Sequence, residues 1–305
     1  MKIQTTAVPQ WLWHAIFLFF LNHAIPLIKP VSQSPDAALS PVPALPLLPI
    51  LPSAFQSLQF TAPFVQDTGG SKSLHFTHGE LQSMMLTDDP ARLALDYTRT
   101  MMGFLLFNPA PSHIGMIGLG GGSLVKFCHR HLPASRMTVL EINPHVIALR
   151  KEFQVPDDDA RLTVLAADGA LFLQTETPAF DVLLVDGFDH DGQPAALCSQ
   201  RFYDDCVAAL APSGLLVVNL HYQHPDYPLL VERITRSFGG NAVEIVVEEK
   251  TNSIVLASKG RPISPRALSL PRSLAALGDE ARRQLKPELG RVLWEMKNLD
   301  QNDAL

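Results

Sequence analysis

A short apolar strand, Ile114 to Ile117, runs directly into Gly118-Leu119-Gly120-Gly121-Gly122-Ser123. That junction limits the folds open to the chain more than any other stretch. Glycine takes positive φ at no steric cost, so the run permits a tight turn and brings backbone N–H groups close to a ligand. Ser123 to His131 reads as a helix directly behind it, whose amino terminus adds positive partial charge. A second strand, Met137 to Leu140, ends on Glu141, 19 residues beyond Gly122. A third ends near Ala167-Asp168, and a fourth, Phe180 to Val185, runs into Asp186. Strand, glycine turn, helix, strand and acid in this order predict a parallel α/β sheet. A nucleoside-type ligand would lie across the carboxyl ends of its strands.

The same grammar continues in both directions. Asn143-Pro144 starts a helix expected to reach about Phe153, Leu162 to Leu165 is a strand, and Gly169 to Gln174 a short helix. Beyond Asp186 come a loop to Leu197, a helix from Ser199 to Leu210, a strand from Gly214 to Leu220 and a helix from Tyr227 to Phe238. Ala242 to Val247 and Ser253 to Ala257 close the unit as strands. Seven strands ending in an antiparallel pair suit a methyltransferase-type sheet better than a hydride-transfer one. Upstream, Phe60 to Val65, Ser73 to Phe76 and Glu80 to Leu86 predict a small antiparallel sheet around Asp67-Thr68-Gly69-Gly70. Asp88-Asp89-Pro90 predicts the start of a helix over Ala91 to Phe107, with Leu95, Met102 and Leu105 as core. Helices near Leu270 to Leu277 and Asp279 to Met296 follow, the second carrying an apolar face at Leu285, Leu289 and Leu293.

The expected organisation is therefore a leader over 1–55, a small β domain with a linking helix over 56–108, a nucleoside-binding catalytic domain over 109–260 and a helical appendix over 261–305. The leader is apolar from Trp11 to Ile28 and carries five prolines between Pro41 and Pro52. It reads as a poorly ordered extension or an over-long start, a membrane anchor or degenerate signal, or a docked amphipathic helix. Elsewhere the balance of 24 basic against 30 acidic residues leaves no footprint for a phosphate backbone, so nucleic acid is excluded as the expected partner. Cys128, Cys198 and Cys206 have neither metal-site spacing nor disulfide density and read as thiols in a reducing, cytoplasmic setting. The alternative location is at a membrane, to which the leader would tether the chain through residues 11–28 if it acts as an anchor.

Glu141 is placed to accept both hydroxyls of a ribose, a geometry that a dinucleotide site shares. Asp168 could accept from an adenine amine or simply cap the helix behind it. Asp186, Asp189 and Asp191 crowd one loop, where they could attract a cationic substrate and take a proton from an attacking amine. Their mutual repulsion is expected to raise at least one pKa. No metal set is expected, since His221 and His224 stand at i, i+3 without a third ligand.

Gly79 with Gln82, Gly120-Gly121-Gly122, Glu141-Ile142-Asn143-Pro144, Ala167-Asp168-Gly169, Val185-Asp186-Gly187-Phe188-Asp189, Gly192, Pro194-Ala195 and Arg201-Phe202-Tyr203 stand in an order that resembles the spermidine synthase (polyamine aminopropyltransferase) family. The resemblance spans about Leu58 to Lys259, in the manner of a divergent bacterial-type member. It implies a Rossmann-like seven-stranded sheet of the S-adenosylmethionine-dependent methyltransferase type, preceded by a small antiparallel β domain, and a homodimer. It also implies transfer of an aminopropyl group from decarboxylated S-adenosylmethionine to putrescine or a similar small-molecule amine, with no prosthetic group. By position, Gln82 would contact the donor, Gly118, Gly120, Gly121, Gly122, Ser123, Ile142 and Gly169 would cradle it, Glu141 would bind ribose and Asp168 would read adenine. Asp186 would be the base, Asp189 would hold the acceptor amine with Asp191 and His221 nearby, and Tyr97 would match a tyrosine near the acceptor.

Four departures stand out against that family. Ser123 replaces an aspartate that meets the donor's ammonium, which opens the way to ordinary S-adenosylmethionine and to a methyltransferase of a small nucleophile. Gly187-Phe188-Asp189-His190-Asp191-Gly192 replaces a loop with two small hydroxyl residues, and Asn219-Leu220-His221 a glutamine-bearing segment. Lys250-Thr251-Asn252-Ser253 stands where a tyrosine- and proline-rich acceptor motif is expected. A third reading, a catalytically inactive nucleoside-binding protein, is opposed by the three neighbouring aspartates.

Overall fold

The computed structural model describes residues 60–189, 192–248 and 251–302. The readings placed on residues 1–55 and on Asp191 lie outside these residues. Three strands open the described chain: β1 (Phe64–Asp67), β2 (Ser71–His75) and β3 (Ser83–Leu86), antiparallel in that order. Gly69, at φ +80°, makes the β1–β2 turn, and its N–H donates to Asp67 Oδ1 at 2.8 Å. A short helix, α1 (Asp96–Met101), continues as a 3₁₀ segment over Met102–Leu106.

The helix expected from Ala91 thus begins five residues late. Asp89 closes a turn instead, its carbonyl accepting from Arg92 N at 3.1 Å. The carbonyls of Leu93 and Ala94 accept from the Arg99 guanidinium at 2.7 and 3.3 Å. Leu93 is fully buried, so this segment is held by side-chain packing and a cation rather than by helical bonds.

The main sheet comprises β4 (His113–Ile117), β5 (Arg136–Glu141), β6 (Leu162–Ala166), β7 (Phe180–Val185), β8 (Leu210–His221), β9 (Ala242–Val246) and β10 (Asn252–Ser258). Their order is β6-β5-β4-β7-β8-β10-β9, with β10 antiparallel to both neighbours. This is the expected seven-stranded sheet with its antiparallel end. Between the strands lie α2 (Ser123–His131), α3 (Pro144–Ala148), α4 (Gly169–Thr175), α5 (Gln200–Ala209) and α6 (Tyr227–Ser237), followed by α7 (Leu270–Ala275) and α8 (Asp279–Asn302). The α3 helix stops at Ala148 rather than near Phe153, because the chain tightens into turns that end with Gln154 at φ +53°.

Alternation along the strands separates two cores. Ile114, Met116, Val182, Leu184, Leu215 and Val217 face one side, together with Leu74 and Met85 of the small sheet, Phe127 of α2 and Leu285 and Leu289 of α8. Ile117, Leu183, Val185, Leu216 and Val218 face the other, under Leu173 of α4, Phe202 and Cys206 of α5 and Ile234 of α6. The apolar stripe of α8 therefore packs on its own chain. Arg291 reinforces it by donating to the Val246 carbonyl at 3.1 Å while pairing with Glu288 and Glu295. Cys128 and Cys206 are buried, Cys198 half-buried, and all three are free thiols. Among the described residues no helix is long and apolar enough to cross a membrane.

Candidate active site

A cavity of about 650 Å³ lies at the carboxyl ends of the parallel strands, walled on one side by β3 and α1. It brings together Gln82, Tyr97, Gly118, Gly120, Ser123, Glu141, Ile142, Asp168, Gly169, Asp186, Asp189 and His221. Gly121 and Gly122 stand behind this wall. A Cβ on Gly121 would lie 2.7 Å from Ser83 Oγ, and one on Gly122 2.3 Å from Val155. Glycine at these two positions lets the turn pack against β3 and the α3 segment. Gly118 is required for a different reason: at φ +93°, a Cβ would lie 2.2 Å from the Asp186 carbonyl oxygen.

Glu141 ends β5 and is 6% exposed. Leu119 N donates to its Oε2 at 2.8 Å and Asn143 N to its Oε1 at 2.7 Å. Burial raises its pKa and these backbone donors oppose the rise. The carboxylate is thus fixed by backbone donors where it lines the cavity. Asp168 lies two residues past β6 and caps α4, its Oδ1 accepting from Ala170 N at 2.8 Å and Leu171 N at 3.2 Å. Capping uses one oxygen and orients the other.

Asp186, just past β7, sits between two donors. Asn219 Nδ2 donates to its Oδ1 at 2.8 Å, and the Tyr97 hydroxyl to its Oδ2 at 3.4 Å. Burial lifts its pKa from 3.8 to about 6, against the pull of both hydrogen bonds. The expected rise is present, but its cause is burial and not repulsion among neighbouring aspartates. Tyr97, half-buried beside this carboxylate, is pushed well above its usual pKa by desolvation and stays a hydrogen-bond donor across the neutral range. Asp189 is set by a backbone bridge with Gly192, its N–H donating to the Gly192 carbonyl at 2.8 Å. Ser123 is buried and carries no charge into the cavity. Its Oγ lies 3.5 Å from Ser83 Oγ and donates to the Met84 carbonyl at 3.4 Å.

Two cavity residues, Asn219 and Asn252, carry geometry that the sequence reading did not assign. Asn219 lies in a segment noted only for its departure from the family, and Asn252 comes from β10, 33 residues later.

A glycine turn, a buried carboxylate ending the next strand and an antiparallel penultimate sheet position mark a Rossmann-like, methyltransferase-type α/β fold. Solved structures agree on the fold. A probable spermidine synthase from Corynebacterium glutamicum superposes with TM-score 0.59 at 19% identity, covering 73% of this chain and 90% of its own. Human methyltransferase-like protein 13, in complex with SAH, does so with TM-score 0.53 at 24% identity, covering 64% and 93%. In sequence, the spermine/spermidine synthase domain matches residues 95–244. A polyamine aminopropyltransferase of Chromobacterium violaceum is 35% identical over 241 residues, or 79% of this chain and 91% of the relative. The chain belongs to the polyamine aminopropyltransferase family and is a transferase of that group.

Proposed function

We propose that the protein transfers the aminopropyl group of decarboxylated S-adenosylmethionine to putrescine or a similar amine. The observation that carries this reading is Asp186, a carboxylate held by Tyr97 and Asn219 in the same cavity that Glu141 enters. Glu141 accepts the ribose hydroxyls, the free oxygen of Asp168 reads the adenine amine, and Gln82 borders the donor's chain. The acceptor enters as an ammonium drawn by Asp186 and Asp189. With its pKa at about 6, Asp186 is ionised at neutral pH, yet it is a stronger base than an exposed aspartate. It takes one proton from the acceptor nitrogen. The freed lone pair forms the new C–N bond as the C–S bond breaks, and that electron pair neutralises the sulfonium and leaves methylthioadenosine. A sulfonium needs little activation, so alignment of nitrogen, carbon and sulfur supplies most of the acceleration.

Ser123 favours a second reading, methyl transfer from ordinary S-adenosylmethionine, because no carboxylate at that position meets a donor ammonium or repels a donor carboxylate. Calorimetry on the full chain with the two donors, then addition of putrescine and mass analysis of products, separates the two. Preference for the decarboxylated donor with methylthioadenosine released supports aminopropyl transfer. Preference for the carboxylated donor with no methylthioadenosine overturns it. Family resemblance alone supports a cytoplasmic homodimer, and gel filtration with light scattering of the full chain tests the dimer.

A further inference from the structure

The base is the end of a longer row of side chains. Asn219, at the carboxyl end of β8, is 2% exposed. While its Nδ2 donates to Asp186, its Oδ1 accepts from Asn252 Nδ2 at 2.9 Å. An ionised carboxylate only accepts hydrogen bonds, so Asn219 must turn its NH₂ toward Asp186 and its oxygen away. An amide free to rotate half a turn about its last torsion would set oxygen against oxygen. Asn252 closes that option, because its own NH₂ is satisfied only by an oxygen.

The sheet makes the meeting possible. In the antiparallel β8–β10 register Asn252 stands opposite His221 and Ile254 opposite Asn219. Asn252 and Asn219 are therefore diagonal neighbours on one face, within reach of side chains of this length. The row runs Asn252, Asn219, Asp186, Tyr97, from β10 across β8 and β7 to α1. Each link points its donor at the next acceptor except the last, where Tyr97 donates from the opposite side.

Building on the aminopropyl-transfer reading, we infer that Asn252 and Asn219 are a coupled pair of positioning residues: Asn252 fixes the amide of Asn219, and Asn219 fixes the Asp186 carboxylate in one orientation toward the acceptor nitrogen. The other titratable groups lining the same cavity are Glu80 before β3, Asp96 of α1, Glu141, Asp168, Asp189 and His221. None of them belongs to the row.

Carboxyl-¹³C aspartate labelling of the full chain reads Asp186 directly, with Asp186→Asn assigning its resonance. In the wild type it titrates near 6. Asn219→Leu and Asn252→Leu each raise it by about one unit, because a donor is lost or left free to turn. The double variant rises no further than Asn219→Leu alone. The acid limb of kcat/KM for the acceptor moves with the titration and kcat falls about tenfold, while donor affinity by calorimetry stays within about twofold. Should Asn252→Leu fail to fold, Asn252→Ser must give the same rise. An unmoved titration, or additive shifts in the double variant, overturns the coupled pair. A wild type that transfers no aminopropyl group yet shows the coupled titration refutes the function and leaves the pair standing.

Discussion

Lys126 lies in the first turns of α2 behind the glycine loop and is 4% exposed. Its Nζ donates to the Phe153 carbonyl at 2.8 Å, and burial lowers its pKa from 10.5 to about 8. Between those two values the unfolded chain binds more protons than the folded one, so stability rises with pH through that window. The gap between 10.5 and about 8, at about 1.4 kcal/mol per pH unit, is about 3.5 kcal/mol of stability missing below pH 8 and recovered by pH 10.5. Lys126→Met removes the dependence and strands the Phe153 carbonyl, which costs about 1–3 kcal/mol. The variant should equal or exceed the wild type at pH 7 and fall behind it by about 1–3 kcal/mol near pH 10.5. Urea unfolding of both proteins at several pH values between 7 and 10.5 measures the difference, in which the titrations common to both cancel. A difference that stays flat across that range refutes a buried ammonium at this position.

Gly118→Ala places a methyl against the Asp186 carbonyl at positive φ; donor binding by calorimetry should weaken at least tenfold, and unchanged binding would show that the turn relaxes freely. Glu141→Gln turns an NH₂ toward one of two backbone donors, Leu119 N or Asn143 N. Donor affinity should fall at least tenfold and stability by about 1–3 kcal/mol, read by calorimetry and urea unfolding. Leu289→Ala, at a fully buried position on α8, should cost about 2–5 kcal/mol in urea with the acid limb of activity unmoved.

The parallel half of the sheet was legible because each unit announces itself locally. The strand into Gly118, the acid at Glu141 and the Asn143-Pro144 helix start all follow from neighbours in sequence. The start of α1 was not, because Asp88-Asp89-Pro90 carries a good cap signature, while burial of Leu93 and the Arg99 bonds that override it are tertiary. The cavity wall at Gly118, Glu141 and Asp168 was legible from the ends of strands. Asn252 escaped because its meaning depends on an antiparallel register linking residues 33 apart, which local pattern does not encode. Crowding led to the expectation of a raised pKa on at least one of Asp186, Asp189 and Asp191, whereas burial, invisible in a charged loop, raises that of Asp186.

The sheet order places a seam between β4 and β7. On one side β4, β5 and β6 end in the glycine turn, Glu141 and Asp168; on the other β7, β8 and β10 supply Asp186, Asn219 and Asn252. Along the chain the first group closes by Gly169 and the second opens at Asp186, so the two halves are separate cassettes in sequence that meet in space where Gly118 packs on the Asp186 carbonyl. On the proposed function, drift in the second cassette re-tunes which amine is taken while the first keeps the nucleoside. A chimaera joined between Thr175 and Phe180 would exchange one property of the enzyme and keep the other.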